Sequence, residues 1–98
     1  MSLPVIVLPA AEADLAEAKA WYENNRRGWS EKFRLRVEET FERISRMPEL
    51  HAAIYKEVRR SFIHQFPYAV FYRVEEDRVV VIAVMHTRRD PGRWQSRT

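Results

Sequence analysis

Residues 58–94, VRRSFIHQFPYAVFYRVEEDRVVVIAVMHTRRDPGRW, decide the fold. Two apolar runs, 68–74 and 79–85, flank the acidic Glu75-Glu76-Asp77. Both are rich in Val, Ile, Tyr and Phe, which fit a pleated, half-buried surface. Joined by a short polar connection, they predict a β-hairpin. Arginines gather at its fringe: Arg59 and Arg60 before it, Arg88, Arg89 and Arg93 after it.

Upstream of the hairpin, residues 54–66 read as one further strand. Val58, Phe62 and Tyr55 point inward, and Arg59 and Arg60 lie near its middle. Pro67 turns the chain into the next strand. Downstream, Asp90-Pro91-Gly92 is a turn. Trp94 packs back onto the sheet, and a polar, frayed tail follows.

The N-terminal half is helical in its spacing. Val5, Ile6, Val7 and Leu8 form a short apolar run bounded by Pro4 and Pro9, a brief strand buried on both faces. Pro9 is suited to open a helix, where its missing N–H costs nothing. Ala11, Leu15, Ala18 and Tyr22 then recur on one stripe up to Asn25. Gly28 marks the break, and Ser30 is the expected N-cap of a second helix. Phe33, Val37, Phe41, Ile44 and Met47 form its stripe, and Pro48 ends it. The short connection predicts an antiparallel helical hairpin. The expected fold is one α+β domain over residues 1–98, ordered β-α-α-β-β-β. Its small antiparallel sheet packs against the α-helical hairpin.

Composition narrows the function. A chain of 98 residues supports one core. It has no cysteine, which removes disulfides, thiol chemistry and thiolate zinc sites. No apolar run approaches the roughly 18 residues of a membrane span. The N-terminal apolar run is too short for a signal peptide and has no basic residue before it, so a cytoplasmic location is expected. His51, His64 and His86 are too far apart to pair as metal ligands, and two glycines make no phosphate loop, so no metal or cofactor is expected. Residues 1–55 carry 8 basic and 9 acidic side chains, and residues 56–98 carry 9 basic and 5 acidic. That asymmetry points to an anionic partner at the C-terminal half, against the alternative of a solvated basic face.

A nucleic-acid partner raises one chemistry to weigh, against the alternative that the histidines are half-exposed strand residues with no catalytic duty. RNA cleavage needs a base for the 2′-hydroxyl, an acid for the leaving oxygen and cations on the phosphate. Histidine serves the first two near neutral pH, and arginine grips phosphate oxygens in pairs. Arg60, His86 and Arg89 are the candidates. Arg59 and Arg60 are consecutive, so a regular strand sends them to opposite faces.

Several local patterns, in order and spacing, resemble the RelE/ParE superfamily of bacterial toxins. They are Ala13-Asp14-Leu15 before Trp21-Tyr22-Glu23, the helix with Phe33 and Val37 ending at Pro48, and Val58-Arg59-Arg60. Phe66-Pro67-Tyr68-Ala69-Val70-Phe71-Tyr72 follows, then Ala83-Val84-Met85-His86 with Arg89-Asp90-Pro91 and Trp94. Residues 86–94 look more like the ParE-type, plasmid-stabilisation branch. The resemblance implies a toxin of a type II toxin–antitoxin pair, inhibiting DNA gyrase and neutralised by a cognate antitoxin. Arg59, Arg73, Arg88, Arg93 and Trp94 are candidate contacts to target or antitoxin. Residues 87–98 would carry the gyrase contact and be separable from the fold. The RelE-type branch implies a ribosome-dependent mRNA endoribonuclease instead. Its members commonly use a Tyr near the C-terminus, whereas this chain has no Tyr after Tyr72 and no Lys after Lys56. A third reading is an inactive relative that only binds antitoxin.

Overall fold

In a computed structural model, which describes residues 2–98, the two apolar runs are strands β4 (Tyr68–Val74) and β5 (Val79–His86). They pair antiparallel from Tyr68↔His86 to Val74↔Val79. Glu75 N–H donates to the Arg78 carbonyl at 2.8 Å and closes the turn. The register shifts once, because Phe71 faces Ala83 while Tyr72 faces Val81. Ile82 is the extra residue of a bulge. Val81 and Val84 therefore face one core while Ile82 and Ala83 both face the other. With a core on each face, β5 is apolar at every position from Val79 to Met85 and not at alternate ones.

Strand β1 (Val5–Val7) lies parallel to β5 on its outer side, and β3 (Val58–Phe62) lies antiparallel to β4. A further strand, β2 (Ala53–Tyr55), extends the sheet to the order β1-β5-β4-β3-β2. The sheet is thus antiparallel except at β1. Where one strand was expected in residues 54–66, a tight turn with Lys56 at φ +52° divides two.

Helices α1 (Pro9–Asn25) and α2 (Trp29–Arg46) cover one face. Ala11, Ala18, Tyr22, Phe33, Val37 and Ile44 all pack into the core there. Gly28, at φ +81°, turns the chain between them in the left-handed region where side chains are strained. Gly28, not Ser30, is the N-cap of α2. Ser30 lies in the first turn, and its hydroxyl reaches back to Glu23 across the hairpin. Met47 leaves the stripe because α2 ends at Arg46, and it is exposed.

The opposite face carries a second core of Val58, Ala69, Phe71, Val80, Ile82, Ala83 and Met85, closed by Trp94. Trp94 sits on a short helix, α3 (Gly92–Gln95), and its ring stacks on Phe71 at 4.5 Å. Phe62, expected inward, is exposed at the end of β3, because Trp94 covers Phe71 and not its neighbour. The Arg60 guanidinium lies 4.8 Å from the Phe62 ring instead. The last residues are not frayed: Arg97 N–H and Thr98 N–H donate to the carbonyls of Trp94 and Gln95. Residues 87–98 are therefore not separable from the fold, since they supply the lid of the second core. Among the described residues no helix is long and apolar enough to cross a membrane.

Trp94→Ala removes that lid and is expected to cost about 3–5 kcal/mol in urea denaturation. Deleting residues 87–98 is expected to abolish the cooperative transition, because Phe71, Val80 and Ile82 then lose their cover.

Candidate functional site

The edge of β5 explains the site. β1 stops at Val7, where Leu8 N–H donates to the Val81 carbonyl at 3.0 Å, and Pro9 turns the chain into α1. Beyond Val81 the outer edge of β5 has no neighbouring strand. Two side chains take the place of one. Asp14, on the second turn of α1, accepts the Val84 N–H at 3.0 Å through Oδ2. Arg97 donates to the Ile82 carbonyl at 3.1 Å. The two side chains also pair with each other, at 2.6 and 3.1 Å, in a two-point grip. They are 14% and 27% exposed, so the pair is screened far less than a surface pair.

Asp14, Glu17, Ala18 and Trp21 follow one another at helical spacing and face the end of β5 and the segment after it. Glu17 reaches Arg89 at 3.3 Å, but this contact is open to solvent, with side chains 75% and 43% exposed. His86 closes β5. Its Nδ1 accepts the Arg88 N–H at 3.1 Å, so in the neutral ring Nε2 carries the proton. Its ring meets the edge of Tyr68 at 5.4 Å. Burial pushes the Tyr68 phenol above its ordinary value, with Arg89 pulling it back and Glu17 adding to the rise.

The result is a cleft in two joined parts. The larger, about 510 Å³, lies between Trp21, Asn24, Pro67, Tyr68, His86 and Arg89. The smaller, about 150 Å³, runs past Glu17, His86 and Arg89 to Arg93 and the Asp14–Arg97 pair. Trp21 is half exposed on the wall of the larger part.

The candidates for RNA cleavage do not all meet. His86 and Arg89 share the cleft. Arg60 lies two strands away: it faces Phe71 in the middle of β4, while His86 faces Tyr68 at the start of that strand. Arg60 also points to the face of Phe62 and Trp94, whereas Tyr68 and His86 belong to the helical side. Arg59 is occupied with the carbonyls of Glu49 and His51, tying the connection after α2 to β3. Arg73 bridges to Glu75 at 3.0 Å, which also holds Arg78. Arg88 and Arg93 are exposed and make no ion pair among the described residues. Trp94 is 6% exposed, which turns its ring toward the core and away from any partner.

Arg97 was missed in the sequence, and Asp14 was noted within Ala13-Asp14-Leu15 but not tied to the edge of β5. No local pattern joins two residues 83 positions apart. Among the described residues no cluster of His, Asp and Glu gathers that could hold a metal.

The chain is thus a small α+β domain, with a helical hairpin on one face of its sheet and a basic C-terminal segment returning to α1. The family model for the ParE toxin of the type II toxin–antitoxin system parDE matches residues 5–91, and the chain belongs to that family. It is 28% identical over 82 residues to Toxin ParE2 of two strains of Mycobacterium tuberculosis, covering 83% of this chain and 78% of theirs. Its fold is similar to a chain of the chromosomal ParDE system from P. aeruginosa, with a TM-score of 0.74 at 15% identity. The match covers 87% of this chain and 96% of that one. The expected resemblance is thus met at the level of a ParE-like type II toxin.

Asp14→Ala leaves the Val84 N–H without its acceptor and Arg97 without its carboxylate partner. A loss of about 2–4 kcal/mol is expected in urea denaturation. Glu17→Ala, which breaks only the exposed pair, is expected to change stability by less than about 0.5 kcal/mol. Tyr22, Tyr68 and Tyr72 all have phenols raised by burial. A raised folded value means stability that is whole below the ordinary tyrosine range and is lost as pH rises through it. Denaturation midpoints measured at rising alkaline pH are expected to fall above about pH 10, with a smaller fall in Tyr72→Phe.

Proposed function

We propose that this ParE-family toxin arrests growth by inhibiting DNA gyrase in the cytoplasm, and that a cognate antitoxin with an acidic segment neutralises it. Family membership supports the reading first, because the resemblance to the ParE-type branch implies gyrase as the target. One observation on the molecule favours it over RNA cleavage. Arg60 stands on the opposite face of the sheet from His86 and Arg89, so the three do not surround one phosphate. In-line attack by a 2′-hydroxyl needs base, acid and cation about a single centre. The charge asymmetry supports an acidic partner, as 9 basic and 5 acidic residues lie in 56–98.

A short induced pulse in a bacterial host tests the reading. Growth arrest with intact messages, together with loss of supercoiling activity in a purified gyrase assay, is the expected outcome. New RNA 5′ ends inside translated messages, absent in Arg89→Ala, would mean ribosome-dependent cleavage instead. Normal growth with folded protein present would mean a relative that only binds antitoxin. For the antitoxin, stopped-flow association is expected to slow by roughly tenfold between low and high salt. A flat response would contradict an acidic partner.

A further inference from the structure

The three arginines of the cleft are held to very different degrees. Arg97 is committed, with two bonds to Asp14 and one to the Ile82 carbonyl. Arg89 is loosely held by one exposed contact to Glu17 at 3.3 Å. Arg93 lines the same space and makes no ion pair among the described residues. His86 adds a donor, because its Nδ1 is used by the Arg88 N–H and its ring lines both parts of the cleft. Beside these donors stands Trp21, 51% exposed, on the wall of a cavity of about 510 Å³. Three arginines face two carboxylates, Asp14 and Glu17, and an apolar surface adjoins them.

We infer that this cleft is the seat of an acidic peptide segment, and that Glu17 holds Arg89 where a partner's carboxylate sits in the complex. A carboxylate arriving at Arg93 and Arg89 exchanges one exposed pair for a less solvated one, and its charge is not opposed once Glu17 swings away. An exposed pair of this kind contributes little, so the exchange costs little. An apolar side chain next to that carboxylate covers Trp21. Asp14 cannot be displaced in the same way, since it also holds the backbone of β5. The inference rests on the reading of an acidic antitoxin and locates its contact.

The test uses the full chain and a fluorescent synthetic peptide of glutamate with interspersed leucine, against a glutamine counterpart. Affinity is read by anisotropy at low and moderate salt. Arg93→Ala and Arg89→Ala are expected to weaken binding by roughly tenfold or more, the worth of a charge-assisted hydrogen bond. Trp21→Ala is expected to weaken it as well. Glu17→Gln is expected to tighten it, because the placeholder is gone. Arg46→Ala, at an exposed ion pair with Glu42 on α2, is expected to leave it unchanged. All five side chains are at least partly exposed, and urea midpoints verify that each variant folds. Binding that is unchanged or weakened in Glu17→Gln overturns the inference. So does a loss in Arg46→Ala equal to that in Arg93→Ala, which would mean general charge attraction. Rescue of growth by a co-expressed cognate antitoxin separates the two readings. No rescue of the unaltered toxin counts against an antitoxin partner altogether. Full rescue of a toxic Arg89→Ala/Arg93→Ala double variant counts against the cleft alone.

Discussion

The structure depends on the contact between Asp14 and Arg97 at the edge of β5. A strand edge with unpaired N–H and C=O groups is a liability in any sheet. Here β1 covers only the first part of β5, and a carboxylate from α1 and a guanidinium from the last turn cover part of the rest. A partly buried ion pair can cost as much in lost hydration as it returns. This one is favoured because both members also bond the backbone, so the polar groups at the edge satisfy one another. The contact joins the first helix to the last residues of the chain. It thereby holds α3 in place, with Trp94 over Phe71, and makes a single unit of the two cores on either side of the sheet.

Much of this architecture was readable in the residues. The β4–β5 hairpin followed from its two Val- and Tyr-rich runs, and the helical stripes through Ala11, Ala18 and Tyr22 and through Phe33, Val37 and Ile44 followed from their spacing. What failed was decided by tertiary context. Strand β2 is three residues long and pairs with β3 through an irregular register, so no local pattern reveals it. Phe62 was placed inward by alternation, but alternation does not say which inward position a lid covers. The bulge at Ile82 is invisible in a run where every residue is apolar.

The site was less legible for the same reason. His86 and Arg89 were candidates and do share a cleft, because they lie three positions apart where β5 ends. Arg60 was grouped with them on charge alone. Whether it joins them depends on strand order and register, and β4 stands between its strand and theirs. Asp14 and Arg97 carry the edge but are ordinary charged residues in the sequence. Their importance comes from the early end of β1, which turns a helical carboxylate toward a backbone amide.

A division of labour among the arginines follows. Arg97 and Arg59 hold the backbone, Arg73 and Arg78 secure the hairpin turn through Glu75, and Arg60 shields Phe62. Arg88, Arg89 and Arg93 remain at the surface on a segment that the Asp14–Arg97 contact anchors. The basic C-terminal half is thus presented on a rigid support, the arrangement that lets charge contribute to recognition without a large ordering cost.

The most direct measurement is native-state hydrogen exchange at the Val84 amide, with and without Arg97. If Asp14 and Arg97 replace a strand, Val84 N–H exchanges as slowly as the strand-paired amides of β4 and β5. In Arg97→Ala, Val84 then loses protection while the centre of β4 keeps its own. Fast exchange at Val84 in the unaltered chain, or protection indifferent to Arg97, would contradict the account.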